Sequence, residues 1–339
     1  MAKSGRPSDG TTSTIEIRRV DRHVLPPTIC QLRRPITRAN LPALDPRCRI
    51  VQFTETLDAD ELGVLGAFLG EHPGVGLRVY GHGRGPYPTL DFLEHFPTVE
   101  RVEIECYDLQ DVSGLRFLRP DLKRFAFGRT KKRFSLAPLG RFAQLGSLWL
   151  YEHRRDIEVL GELTHLRRLS LRGITLPSLR LLTSLRELEI FELKLGGTTD
   201  LGELPRLGRL RYFETFLVRG LRDLEPVADL GSLEYLFVQA QKQVTSLASF
   251  ERARKLRRVH LQTMKGLQDL APLARAPSLE TLVAFDMVHL APEHFRPFKG
   301  HPTLREAAIG LGSKRKNEEV DALLGLPRPP GPPGWIDLS

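Results

Sequence analysis

Several residues of the types that do chemistry stand two apart in this chain: Trp149 with Tyr151, Arg209 with Arg211, Tyr235 with Phe237, and Glu187 with Glu189. A spacing of two puts side chains on one face of an extended strand, so each pair acts together only if the chain is a strand there. Glu187 and Glu189 are the nearest approach to a general acid–base pair, and two carboxylates on one strand are more often charged surface than catalytic machinery. The segment Tyr80-Gly-His-Gly-Arg-Gly85 lacks the lysine and spacing of a phosphate-binding loop and reads as a turn after a strand, and Gly310-Leu-Gly-Ser-Lys-Arg-Lys316 does not preserve that loop's lysine–hydroxyl arrangement either. The ten histidines and three cysteines fall into no metal-ligand or nucleophile pattern. We therefore expect no enzyme and no cofactor. Trp, Tyr and Arg are the residues most concentrated at binding hot spots, so the chemistry expected is recognition.

The elements that position these residues announce themselves by repetition. Val99-x-x-Val102-x-Ile104 is followed by Leu122-x-x-Phe125-x-Phe127, Leu145-x-x-Leu148-x-Leu150, Leu166-x-x-Leu169-x-Leu171 and Leu185-x-x-Leu188-x-Ile190. The phrase continues as Leu207-x-x-Leu210-x-Tyr212, Leu233-x-x-Leu236-x-Val238, Leu256-x-x-Val259-x-Leu261, Leu279-x-x-Leu282-x-Ala284 and a degenerate Leu304-x-x-Ala307-x-Ile309. First positions advance by 23, 23, 21, 19, 22, 26, 23, 23 and 25 residues. Alternating apolar positions predict a short strand per copy, which cannot bury its apolar face alone and must stack on its neighbours. The return half reads Leu221-Arg-Asp-Leu224-Glu-Pro-Val227 and Leu267-Gln-Asp-Leu270-Ala-Pro-Leu273, with aspartate placed to cap a brief helix or 3₁₀ turn and proline in its first turn.

Over residues 74–310 this pattern resembles the leucine-rich repeat family, and its short, internalin-like class in particular. The resemblance implies an α/β solenoid: a curved arc with a parallel β-sheet on the concave side and short helices or 3₁₀ turns on the convex side. The asparagine or cysteine usual three places after the core is mostly replaced, by Thr130, His153, Ile174, Leu193, Thr215 and Gln241, so the buried turn must satisfy its backbone in another way. The family mostly supplies binding surfaces to unrelated partners.

The strand positions between the core residues form three columns on the inner face. Trp149, Tyr151, Arg168, Arg172, Phe191, Arg209, Arg211, Phe213, Tyr235 and Phe237 converge there on this reading, bordered by Glu187 and Glu189 and by Glu103 and Glu105. Aromatics with arginines suit a protein partner, the apolar centre supplying affinity and the charges discriminating. Nucleic acid is the competing partner. The chain carries a formal net charge of +9, and residues 1–50 hold ten Lys or Arg against four Asp or Glu. Such an arm can contact phosphates while sheet aromatics stack on bases.

Residues 1–49 read as a basic, proline-containing arm, 50–98 as an N-terminal capping and first-repeat region, 99–310 as the solenoid, and 311–339 as a C-terminal cap with a Pro/Gly-rich tail. Within the cap region Asp58 to Leu69 predicts a helix with Leu62, Leu65 and Leu69 on its apolar face, and Glu318 to Leu324 predicts a second near the end. No apolar run has the length of a signal sequence or membrane span, and the three scattered cysteines suit a reducing compartment, so a cytoplasmic, bacterial protein is expected. If the leucines form the core, Leu169→Ala or Leu236→Ala will destabilise the fold by about 2–5 kcal/mol in urea denaturation. A loss no larger than that of a surface substitution would refute the repeat assignment.

Overall fold

The computed structural model describes residues 15–18, 28–39, 41, 48–81 and 86–330. Most of residues 1–49, residues 82–85 with the expected turn at His82, and residues 331–339 lie outside the described residues. Fourteen strands form one sheet in strict chain order. They are β1 (Ile15–Arg18), β2 (Thr28–Leu32), β3 (Cys48–Phe53), β4 (Gly76–Gly81), β5 (Arg101–Cys106), β6 (Arg124–Phe127) and β7 (Ser147–Tyr151). The second half comprises β8 (Arg168–Arg172), β9 (Ile190–Lys194), β10 (Tyr212–Phe216), β11 (Tyr235–Gln239), β12 (Arg258–Gln262), β13 (Thr281–Phe285) and β14 (Glu306–Ile309). Pairing is parallel from β2 to β14, and β1 adds antiparallel to β2. From β4 to β14 the return segments are short 3₁₀ turns and one brief helix, α2 (Glu225–Ala228). The result is the curved solenoid expected, with the sheet on its concave side.

The core is a column of inward side chains, two from each strand. Leu148 and Leu150 of β7 continue as Leu169 and Leu171, then Phe191 and Leu193, and Leu236 and Val238 of β11, each at most 1% exposed. Convex turns add a second apolar layer, including Leu139, Leu160, Leu182, Leu204 and Val227. These turns are capped as the sequence implies. Asp223 Oδ1 accepts from the backbone N–H of Glu225 at 2.7 Å and Asp269 Oδ1 from that of Ala271 at 2.8 Å, and Asp111, Ser135, Ser178 and Asp200 repeat the bond two residues on.

At the N-terminal end, α1 (Ala59–Glu71) follows a capping box in which Asp58 accepts from the Glu61 N–H and the Glu61 carboxylate accepts from the Asp58 N–H. Its Leu62, Leu65 and Leu69 are buried as expected. At the other end the helix is longer than the sequence suggested. It is α3 (Lys314–Leu324), entered through the basic run and sealed by Val320, and Asn317 Oδ1 accepts from the Leu311 N–H at 2.7 Å.

The register corrects the sequence reading in two repeats. Phe191 pairs with Leu169 and Phe213 with Phe191, so β9 and β10 read Leu188-x-x-Phe191-x-Leu193 and Leu210-x-x-Phe213-x-Thr215, each three residues later than the leucine phrase implies. From Leu166 the advances then become 22, 22 and 23 residues to Leu233, replacing the irregular 19, 22 and 26. Phenylalanine takes the central leucine's place in both strands, and the apparent phrase at Leu185 and Leu207 borrows a leucine from the preceding turn.

The corner after each strand was invisible in the sequence. Glu152, Gly173, Leu195, Leu217, Ala240, Thr263 and Asp286 occupy equivalent positions, all in the left-handed region with φ between 48° and 65°. In the first six the N–H reaches the next repeat, as in Glu152 to Arg172 O at 2.8 Å, Gly173 to Lys194 O at 2.7 Å, Leu195 to Phe216 O at 2.8 Å and Ala240 to Gln262 O at 2.8 Å. Left-handed backbone disfavours any residue with a Cβ, yet only one of the seven is glycine. The inter-repeat bond holds the conformation against that preference. Beyond the corner, polar side chains replace the missing asparagines. His153 Nε2 bonds Gly128 O at 2.9 Å, and the Gln241 amide donates to Val218 O at 2.9 Å and accepts from Val218 N at 3.1 Å. Burial lowers the His153 pKa, keeping the ring neutral as it stacks on Phe127.

Relieving one corner tests this account. Ala240→Gly removes a single methyl at φ 56° and will stabilise the fold by about 0.5–1 kcal/mol in urea denaturation. A clear loss of stability would show that the corner carries no strain.

Candidate functional site

The corrected register redraws the concave face. Its first column runs Arg168, Ile190, Tyr212, Tyr235; its second Trp149, Ser170, Glu192, Glu214, Phe237; its third Tyr151, Arg172, Lys194, Phe216, Gln239. Of the residues expected there, Trp149, Tyr151, Arg168 and Arg172 stand in these columns, and so do Tyr235 and Phe237, but these two are buried and not exposed as the sequence reading had them. Phe191 and Phe213 are not. Both are fully buried in the core, with ring centroids 5.8 Å apart. Arg209 lies exposed in the turn before β10, and Arg211 lies at the strand's entry edge, held by both oxygens of Glu234 at 2.8 and 3.1 Å. Glu187 faces His165 at 3.4 Å and Glu189 faces Arg167, so neither borders the concave centre.

On the N-terminal side of the face, Trp149 and Tyr151 project from β7 half-exposed, their rings edge to face at 6.0 Å. The Arg172 guanidinium lies over the Tyr151 ring, 5.0 Å from its centroid. Alternation in β7 produces this arrangement, since Leu148 and Leu150 point inward and leave the two large aromatics outside. On the C-terminal side, Phe237 stacks on His260 at 4.2 Å, and His260 meets Phe285 edge to face at 6.1 Å. Phe285 is 39% exposed.

Between these two aromatic groups lies a charged cluster that the sequence reading missed. Lys194 Nζ bridges Glu192 at 2.9 Å and Glu214 at 3.1 Å, and the Tyr212 hydroxyl donates to the other oxygen of Glu214 at 2.8 Å. Glu214 is 7% exposed and Glu192 12% exposed. A small apolar group, Ile190, Tyr212, Tyr235 and Phe237, walls the cluster on the concave side. Missing it followed from the register: the three-residue shift in β9 and β10 put Glu189 and Arg211 where Glu192 and Glu214 belong. The unequal advances of 19 and 26 residues were the available signal.

Burial pushes the Glu214 carboxyl up to about 7, helped by the neighbouring Glu192 and opposed by Lys194. Burial also acts against ionisation of Glu192, but Lys194 outweighs it and holds this carboxyl below its ordinary range. Lys194 is raised, because the two carboxylates overcome its own burial. One lysine thus balances one carboxylate fully and shares the second, which holds its proton near neutrality. Burial, followed by Glu214, raises the Tyr212 and Tyr235 phenols, so both stay protonated. Among the described residues no group of three or more His, Cys, Asp or Glu is placed to hold a metal ion.

Because the folded pKa of Glu214 lies above its unfolded value of 4.5, the folded state holds a proton that the unfolded chain releases between those limits. The contribution of this group is therefore present below pH 4.5, is lost as pH rises through about 7, and is constant above. Glu214→Gln removes the slope. The difference in unfolding free energy between pH 5 and pH 8 will shrink by about 1–3 kcal/mol relative to the parent. An unchanged difference would assign the pH dependence to other groups.

No protein-family model and no curated protein matches this chain. Among solved structures, an internalin, InlF, from Listeria monocytogenes str. 4b F2365 superposes with a TM-score of 0.50 at 14% identity, over 75% of this chain and 81% of that one. Internalin C2 of the same strain gives 0.43 at 19% identity over 56% and 82%, and the functional domain of InlJ from Listeria monocytogenes gives 0.41 at 14% over 77% and 57%. The repeat phrase, the parallel sheet in chain order and the likeness to InlF agree: this chain folds as a leucine-rich repeat solenoid of the internalin-like kind.

Proposed function

We propose that the protein is a non-enzymatic recognition scaffold that binds another protein in the hollow of its arc. The observation that carries this reading is the cluster of Trp149, Tyr151 and Arg172, half-exposed on the concave sheet and held by edge-to-face and cation–π contacts. Large aromatics fixed in one conformation lose little entropy on binding, and arginine adds directed polar contacts at the same place. Phe285 and the half-buried Phe216 extend the apolar surface beyond the charged floor. The floor itself suits discrimination over catalysis. Tyr212 and Lys194 hold the two oxygens of Glu214, and the carboxyl is buried away from the open face.

Single-stranded nucleic acid is the weaker reading. Phe191 and Phe213 lie in the core where no base can stack, Arg211 is clamped by Glu234, and two carboxylates sit at the centre of the face. The cytoplasmic setting is part of the proposal and draws on three buried thiols, Cys30, Cys48 and Cys106. No helix among the described residues is long and apolar enough to cross a membrane.

The double variant Trp149→Ala/Tyr151→Ala tests the site. Capture from the native lysate after nuclease treatment should retain one protein stoichiometrically on the parent chain. Titration of that protein against the variant should show affinity reduced by about 2–4 kcal/mol, with the unfolding midpoint little changed. Equal affinity for parent and variant would place the interface elsewhere, and recovery that vanishes with nuclease would favour nucleic acid.

A further inference from the structure

The residue just before each strand forms a row of its own along the entry edge of the sheet, and its charges alternate. The row runs Glu100, Lys123, Gly146, Arg167, Glu189, Arg211, Glu234, Arg257, Glu280, Arg305. Each member's backbone N–H bonds the carbonyl of the one before it, at 2.9 Å for Gly146 to Lys123 and for Arg167 to Gly146. Side chains in the second half are paired along the row: Arg167 with Glu189 at 2.5 Å, Arg211 with Glu234 at 2.8 Å, and Arg257 with Glu280 at 3.2 Å. Alternation fails at a single place. Where a carboxylate should stand between Lys123 and Arg167, the chain has Gly146.

Packing does not require that glycine. A Cβ there meets only Lys123 O, at the ordinary distance of 3.7 Å, and the backbone is not left-handed. The missing side chain instead opens a cleft of about 420 Å³, floored by Gly76, Leu77, Gly146 and Ser147. Six cations line it: Arg49, Arg101, Lys123, Arg124, Arg167 and Arg168. Its two carboxylates are already engaged, Glu103 with Arg124 at 2.8 Å and Glu189 with Arg167. The Arg101 side chain reaches the Gly74 carbonyl at 3.3 Å, and the side chains of Lys123 and Arg168 make no hydrogen bond or ion pair with the described residues. Burial, followed by repulsion from Arg124, lowers the Arg168 pKa and outweighs the opposing pull of Glu192 and Glu189.

We propose that this cleft binds a compact phosphate-bearing anion whose oxygens stand in for the carboxylate missing at Gly146. One negative charge would restore the row, and Arg101 and Arg168 beside it require more, which selects a phosphate monoester or diphosphate over a single carboxylate. Arginine forks and a lysine point charge are the usual partners of such a group. A cavity of this size accepts a small molecule or one modified side chain. The site lies at the sheet's entry edge and does not depend on the concave protein site.

Calorimetric titration of the full chain with pyrophosphate at constant ionic strength tests the proposal. Saturable binding at one site is expected, weakened at least about tenfold in Gly146→Glu, which supplies the absent carboxylate, and in Lys123→Ala/Arg168→Ala. Gly146→Glu should melt no lower than the parent without ligand, because it completes the ion-pair row, and Gly146→Ala should bind as the parent does. Binding undiminished in Gly146→Glu, equal binding of malonate, or no binding beyond that of added chloride would overturn the proposal. A phosphoserine peptide titrated beside pyrophosphate separates the sources: tighter peptide binding assigns a modified protein side chain, and tighter pyrophosphate binding a free phosphate-bearing molecule.

Discussion

Each strand in this molecule has five residues or thereabouts and two inward side chains, far too little to fold alone. What holds the chain together is the contact of each repeat with the next, made simultaneously by stacked leucines and by parallel backbone hydrogen bonds. The corner residues show how strictly that contact governs the backbone. Leu195, Leu217, Ala240 and Thr263 adopt a left-handed conformation that they disfavour, and the hydrogen bonds of their N–H groups to the following repeat lie behind it. Local preference yields to the stack.

The same stacking arranges the polar residues. Equivalent positions in successive repeats sit one strand spacing apart, about 4.8 Å, so whatever recurs in sequence at the repeat period becomes a column of neighbours. Like charges in such a column repel. The entry-edge row answers this by alternating acids and bases, and the concave centre answers it by placing Lys194 between Glu192 and Glu214. Charge balance here is a property of columns, visible only across repeats. Balance is incomplete at Gly146, beside the cleft, and at Glu214, whose buried carboxyl holds a proton near neutrality.

The two surfaces also differ in how they are made rigid. Trp149 and Tyr151 are set by strand alternation and by contact with each other and Arg172, with leucines directly beneath them. The cleft is set by backbone and by six long cationic side chains around two carboxylates. The first is a preformed, partly apolar surface, the second a concentration of positive charge.

The period of the leucines was enough to determine the architecture, because burial at every repeat is a demand the sequence must meet locally, and alternation then placed Trp149, Tyr151, Arg168, Arg172, Tyr235 and Phe237 on the concave side. Aspartates such as Asp223 and Asp269 likewise marked the convex turns, since their caps need only the residue two positions on. Register in β9 and β10 was a different matter. Phe191 and Phe213 fill leucine positions, and leucines of the adjoining turns offer a competing phrase three residues earlier, so only the pairing with β8 and β11 decides which apolar residue faces inward. That decision moved two phenylalanines into the core and brought Glu192, Lys194 and Glu214 to the surface of the arc. Tertiary structure alone settled it, because a parallel strand has no register until its neighbour supplies the hydrogen bonds.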